Sequence, residues 1–494
     1  MAGLPRHLNN NTELPTADKC GRKKKQNKNK MKKIYLIASL AFTTSAFAQY
    51  TNLYNFGSTI SGGEPYGDLI SDGTFLYGMT LNSGTHNDGT VFKIKPDGTS
   101  FDTLLSFNGA NGSGPHGSLY YDGIFLYGMT PSGGTNSLGN IFKIKPDGTG
   151  YVDLYNFAAS PDGNYPAGSL ISDGTFLYGM TKQGGASLGY GTIFKIMPNG
   201  SGYIKLVDFG VGSADGSGPY GSLIYDAASG FLYGMTLQGG THSLGNVFKV
   251  KPDGTGYVDI LNFGTGNANG ASPYGSLYYD GTFLYGMTSS GGTSSYGNIF
   301  KVMPDGTGYV DLFDYTNANR GSPEGSLVSD GTFLYGMTHG GGTSYIGVVF
   351  KIKLDGTGYD TLFNFNGMGA NGAYPHGSLL LNGGCLYGMT YQGGSSTGVI
   401  FSYCLASTGI KQVTGSNEVS IYPNPASTSL TLTLSKGEGT STLLITDMLG
   451  NTVKQLIIHN SSLIIDVADL SEGVYNVSIS SNAGVVNKRV VIVR

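Results

Sequence analysis

From residue 49 to residue 405, short apolar runs alternate with glycine-rich polar stretches. No apolar stripe of 3.6-residue period is long enough for a helix, so the pattern predicts strands. One unit reads as four of them. The first is Gly-Ser-Leu-x-x-Asp, as at Gly117 to Asp122. An Asp-Gly turn follows, as at Asp72-Gly73, and its glycine suits a type I′ hairpin. The second strand is Thr-Phe-Leu-Tyr-Gly-Met-Thr. Phe75, Tyr77 and Met79 share one face, and Leu76, Gly78 and Thr80 share the other. Neither face is charged, as a sheet packed between two neighbours requires. The third strand is Ile141 to Lys145, Pro146-Asp147-Gly148 turns the chain, and the fourth strand is Gly150 to Phe157.

The unit repeats. Leu-Tyr-Gly-Met-Thr occurs seven times, with its tyrosine at Tyr77, Tyr127, Tyr178, Tyr233, Tyr285, Tyr335 and Tyr387. A period near fifty with four short strands per unit predicts a β-propeller of seven blades. The ends of the repeat region supply a check. Tyr50 to Phe56 has the pattern of a fourth strand with no unit before it, and the seventh unit stops after its third strand, Ile400 to Cys404. The N-terminal strand is therefore expected to complete the last blade, which closes the ring and removes two open edges.

Outside the repeats the pattern changes twice. Residues 406–418 are a polar linker. From 419 to 494 alternating strands return without the repeat: Val419-Ile421, Leu430-Leu434, Leu443-Thr446, Thr452-Ile458, Leu463-Val467, Gly473-Ser480 and Val485-Val493. Seven short strands in so few residues predict a small Ig-like β-sandwich. Upstream, Met31-Lys32-Lys33 precedes the mostly apolar Ile34 to Phe47, and Ala46-Phe47-Ala48 is a small-x-small cleavage pattern. Residues 31–48 therefore read as a secretory signal peptide rather than a membrane span, with a mature start at Gln49 and no transmembrane span after it. Residues 1–30 read as an over-extended, disordered start.

Composition narrows the chemistry. The chain has 82 glycines, 34 tyrosines and no tryptophan, and only 12% of its residues are charged. Because the glycines are periodic and separated by large apolar residues, this is a turn-rich β-protein and not a disordered one. Residues 1–30 hold eight lysines and arginines against two acids, which leaves the body from Gln49 onward clearly acidic. Nucleic acid is excluded as a partner, since such binding draws its affinity from cations that neutralise phosphates.

No catalytic constellation stands out between residues 49 and 405. Most aspartates recur in turns, as at Asp72, Asp97, Asp122, Asp147 and Asp173, and read as turn formers. The acids that break the repeat are Asp68, Asp88, Asp162 and Asp215, with glutamates only at Glu64 and Glu324. No pair among them can be named from the sequence as the two close carboxylates a glycosidase needs. The histidines show no metal-ligand spacing, so neither a metal nor another cofactor is expected. Cys385 and Cys404 flank the hairpin of the last repeat as near-opposite partners. A disulfide and two small buried thiols both fit that position.

Variation between repeats carries more information. The connections before the first strand and between the second and third strands vary, and in a propeller they share one face. On it, the residue after the proline of Pro-x-Gly changes from unit to unit: Tyr66, His116, Ala167, Tyr220, Tyr274, Glu324 and His376. At the mouth of the innermost strands these form a ring around the axial opening. Six of them carry side chains suited to an extracellular glycan or peptide.

Two resemblances add to this reading. The units, with Leu76 to Thr80 and Gly89 to Lys93 as examples, resemble the GloVer tandem-repeat family over residues 49–405. That likeness implies a fold and assigns no chemistry. Residues 419–494 resemble the type IX secretion C-terminal sorting domain in four motifs: Tyr422-Pro423-Asn424-Pro425, Asp447-Met448-Leu449-Gly450, Asp469 to Tyr475 with Gly473, and Lys488-Arg489 to Arg494. The likeness implies a bacterium of the Bacteroidetes kind, a type IX machinery as partner, and delivery to the outer-membrane surface or the medium. The expected function is a secreted or surface-held binding or structural module. The alternative is an extracellular polysaccharide-active hydrolase or lyase on the same scaffold.

Overall fold

The computed structural model describes residues 49–405, except 58–60, 159, 187–188, 213–214, 265–268, 368–370 and 396, and residues 419–493, except 435–440, 447–451, 459–461 and 482–483. The expected signal peptide at 31–48, the segment 1–30 and the expected linker 406–418 lie outside the described residues. Among those described there is no helix, and so none long and apolar enough to cross a membrane.

Seven four-stranded antiparallel sheets, the blades of a propeller, account for the repeats. The first comprises Ile70–Ser71, Leu76–Thr80, Thr90–Ile94 and Asp102–Ser106. The seventh takes Leu380–Asn382, Cys385–Thr390 and Val399–Cys404 from the end of the region and Gln49–Asn55 from its start. Gln49 pairs with Cys404 and Asn55 with Val399. Phe56 is then fully buried among Leu69, Leu76 and Phe92 of the first blade and Met389 and Ile400 of the last. Cys385 lies directly opposite Cys404 in the same sheet, and their sulfurs are bonded at 1.99 Å.

The second strand explains the packing. All five residues of Leu-Tyr-Gly-Met-Thr are buried in the first blade, and in the others too. Tyr77, Met79 and Val91 meet Leu119, Leu126, Phe142 and Ile144 of the next blade. Each interface thus joins the tyrosine-methionine face of one blade to the leucine-phenylalanine face of its neighbour. Gly78 stands opposite Phe92, and a Cβ on it would lie 2.6 Å from that ring's Cζ. The glycine is there because the aromatic ring occupies its side-chain space. The Lys143 ammonium of the third strand donates to the Pro198 carbonyl in the next blade's turn and lies 4.7 Å from the Phe125 ring centroid.

Two local expectations are corrected. The first strand is only two or three residues long, as at Tyr120–Tyr121. Its Gly-Ser start turns instead to the neighbouring blade. The Asp-Gly turn is not type I′, since Gly73 has a φ of 91° while Asp72 and Thr74 keep negative φ. One left-handed residue at the first central position is the II′ pattern. The Asp72 carboxylate secures the turn by accepting from the Thr74 and Phe75 amides, and it also accepts from the hydroxyl of Tyr77 at 2.7 Å.

Residues 419–493 form two sheets. One holds Val419–Tyr422, Ser429–Leu434 and Ser462–Asp466, and the other Thr452–Ile458, Ser441–Thr446, Gly473–Ser481 and Gly484–Ile492. Leu430, Leu432, Leu443, Ile445, Ile465, Val477 and Val490 fill the space between them, as alternation in a sandwich requires.

Candidate functional site

Six Gly-Ser pairs and the Gly67-Asp68 pair meet at the axis and explain the site's rigidity. The amide of Ser118 donates to the Ser169 hydroxyl at 2.7 Å. Ser169 donates likewise to Ser222, Ser222 to Ser276, Ser276 to Ser326 and Ser326 to Ser378. Asp68 holds the seventh place. Its amide donates to the Ser118 hydroxyl at 2.7 Å, and its carboxylate accepts from the Ser378 amide. The chain of bonds closes on itself. Each adjoining glycine is required by close approach: a Cβ on Gly117 would lie 2.2 Å from the Gly168 carbonyl oxygen. Six links use a neutral hydroxyl, and one uses a carboxyl. Burial pushes the Asp68 carboxyl up from its ordinary range, against the lowering effect of its bonds to Ser378 and Ser118.

Just outside this ring lie all seven residues that follow the Pro of Pro-x-Gly. Tyr66, His116, Ala167, Tyr220, Tyr274, Glu324 and His376 line one funnel with the glycines and serines beneath them. The variable connections brace it: Ser113 pairs with Ser132, Asn164 with Gln183, and Ala271 with Ser290. Six of the seven are half-buried and Ala167 is buried. Lys182, from the same unit as Ala167, sits 4.9 Å from the Tyr220 ring centroid and 5.5 Å from that of Tyr165.

The rings contact one another. Tyr66 stacks on His376 at 4.2 Å, meets His116 at 5.0 Å edge-on, and reaches Tyr220 at 6.1 Å. Tyr220 meets Tyr274 edge-on at 5.2 Å. Burial raises the Tyr66 phenol far above its usual value, helped by the nearby Tyr220 and Glu324. Burial also holds the His116 imidazole down to about 4, although its Nδ1 lies 2.9 Å from the Gly114 carbonyl. His116 is therefore neutral at neutral pH. The Nδ1 of His376 lies 2.5 Å from a carboxylate oxygen of Glu324.

One residue escaped the sequence reading. His339, directly after the sixth Leu-Tyr-Gly-Met-Thr, lies with its ring 4.7 Å from that of His376. The signal was present, because the other units carry Leu81, Pro131, Lys182, Leu237, Ser289 and Tyr391 there. The repeat-breaking aspartates, in contrast, are not gathered into one site. Asp88 accepts from the Ser113 hydroxyl, Asp162 from the Tyr155 hydroxyl and Asp215 from the Gly212 amide. Glu64 accepts from Tyr391 at 3.0 Å and from Asn82.

In the C-terminal unit, the Asn424 side chain between Pro423 and Pro425 accepts from the Val491 amide at 2.8 Å. This ties the first sorting motif to the last strand. Asp469 accepts from Lys454 at 2.7 Å, and the Tyr475 hydroxyl donates to the Ser471 carbonyl. Gly473 opens the strand Gly473–Ser481. Lys488 and Arg489 stand in the strand Gly484–Ile492, and their side chains lie outside the described residues.

Comparison with known proteins agrees with both units. The Gloeobacter/Verrucomicrobia repeat matches residues 40–186, 121–281 and 254–429. The secretion system C-terminal sorting domain matches residues 420–493. No curated protein matches the sequence. Among solved structures, the chain is similar to the extracellular domain of BT4673 from B. thetaiotaomicron, described as a one component system. The identity is 12% and the TM-score 0.50, over 90% of this chain and 58% of that one. It is also similar to PorZ of Porphyromonas gingivalis, described as an essential surface component of the type IX secretion system, with 17% identity and a TM-score of 0.47 over 87% and 60% of the two chains. The chain thus spans about three fifths of the length of these structures, and the likeness concerns the fold.

Proposed function

The chain belongs to the Gloeobacter/Verrucomicrobia repeat family and ends in a type IX sorting domain that directs it to the cell surface or the extracellular space, and from that premise we propose that its propeller is a binding module whose ligand site is the axial funnel. The observation that carries this reading is the convergence of the seven varied residues on one rigid rim. Their aromatic and imidazole rings offer flat faces and polar edges, a mixture that suits neutral sugars or peptides. Tyr274 is the more open of the two adjacent tyrosines, because Lys182 already lies against the face of Tyr220. A ligand therefore stacks first on Tyr274, while Glu324 and His376 supply polar contacts from the other side.

A glycan and peptide array probed with the purified chain tests this reading. Selective retention of one ligand class supports it. Silence across neutral glycans, acidic glycans and peptides removes it. One observation favours the second reading, an extracellular hydrolase or lyase: Glu324 and His376 are in contact within the funnel. Turnover of an array hit, abolished by Glu324→Gln, would select that reading over binding alone.

A further inference from the structure

The rim is not uniform. Glu324, His339 and His376 come from two units, at sequence positions fifteen and more residues apart, and only the fold brings them together. One ligand-type atom from each lies within 4.8 Å of the other two. The chain has seven histidines, and the propeller holds glutamate only at Glu64 and Glu324. Finding two of the histidines and one of these glutamates in one cluster is not a product of the repeat. The scaffold places leucine, proline, lysine, serine or tyrosine where His339 stands, and tyrosine in three of the places equivalent to His376.

We propose that Glu324, His339 and His376 form a binding site for a first-row transition-metal dication, with an open coordination position facing the funnel. Two imidazoles and one carboxylate are a borderline donor set that selects zinc-like ions over magnesium or calcium, which demand oxygen ligands. Tetrahedral zinc with ligand bonds near 2.0–2.2 Å keeps its donor atoms about 3.3–3.6 Å apart. The His376 and Glu324 donors stand 2.5 Å apart, and all three donors lie within 4.8 Å of one another. Glu324 and His376 both line the funnel, so the free position opens towards it. Around them, Tyr66 stacks on the His376 ring and Tyr391 meets its edge at 5.0 Å, while Tyr374 lies 5.1 Å from His339. These ring contacts limit how far the two imidazoles can turn. Three protein ligands leave a fourth position on the ion for water or a second ligand.

The inference does not depend on the funnel taking an organic ligand, because the metal alone is the probe. Calorimetric titration of the untagged full-length chain with Zn²⁺ is expected to give one site per chain that survives millimolar Mg²⁺. His339→Ala and His376→Ala should each weaken it by about tenfold or more, while the exposed His242→Asn leaves it unchanged. Stoichiometric Co²⁺ should give visible d–d absorption that Zn²⁺ abolishes and that both alanine variants lack. Melting temperatures without metal should be similar in all variants, which separates lost ligation from lost folding. His339→Gln and His376→Gln repeat the test if an alanine variant is unstable. No binding by the wild type, or undiminished binding by variants lacking both histidines, overturns the proposal.

Discussion

The wall and the mouth of the propeller are made from the same seven units and follow opposite rules. In the wall, Leu-Tyr-Gly-Met-Thr is identical in all seven copies and buried on both faces. A few ångströms away at the mouth, one position carries tyrosine, histidine, alanine or glutamate. Packing explains the first. A strand whose two faces pack against two different blades cannot change a side-chain volume without disturbing one of them. The second depends on the glycine-serine ring. Because that ring holds the backbone through main-chain amides, the side chains above it can vary without breaking it. Variation is thus confined to a rim whose geometry is fixed, which is what a binding surface needs.

The largest test of this contrast removes residues 50–56. The last blade then loses its outer strand, and Phe56, fully buried between two blades, goes with it. The melting temperature is expected to fall by about 10 °C or more, read by calorimetry. An unchanged melting temperature would mean that the wall does not depend on closure. Next is Gly234→Val, which forces a side chain into the space of Phe248, where a Cβ alone would lie 2.6 Å from Cζ. Overpacking of this kind costs about 1–3 kcal/mol, measurable by denaturant unfolding, whereas a mouth substitution such as Tyr274→Ala should stay within about 0.5 kcal/mol.

Asp68 lies at the border between the two regions. Asp68→Ala leaves the Ser378 amide without its acceptor, a loss of about 1–3 kcal/mol. Asp68→Ser restores the hydroxyl used in the six other links and should be clearly more stable than the alanine variant. Equal stability of the two would show that the ring of bonds contributes nothing. The smallest effect is a pH dependence at the mouth. The folded state holds His116 down to about 4, so the unfolded chain takes up that proton first. Stability is therefore lost as pH falls from about 6.5 towards 4. Lys182 and His376 strengthen the effect, and the Gly114 carbonyl opposes it. Between about pH 7.5 and 5, the wild type should lose up to about 1 kcal/mol more than His116→Gln, once its remaining exposure to solvent is allowed for.

The same contrast decides what could be read before the fold was known. The wall was legible because an identical motif in seven copies leaves little freedom in strand assignment. The unpaired pattern at Tyr50 to Phe56 likewise pointed to its partner, and the rim residues were found because they vary beside an invariant proline and glycine. Two features were not legible. Gly-Ser-Leu looks like the start of a strand, and only three-dimensional proximity reveals that Gly117 and Ser118 serve the next blade. His339 looks like one more varied loop residue, and it gains meaning only when the fold sets it beside His376.

The central claim is that the mouth binds while the wall supports it, and paired measurements of affinity and melting temperature on Tyr220→Ala and Tyr274→Ala test it most directly. With a ligand identified on the array, both variants should bind at least about tenfold more weakly, Tyr274→Ala most of all, at a melting temperature within about 2 °C of the wild type. Undiminished affinity in both variants would contradict the account by leaving the funnel without a part in binding, and a large fall in melting temperature would place these tyrosines among the supporting residues of the wall.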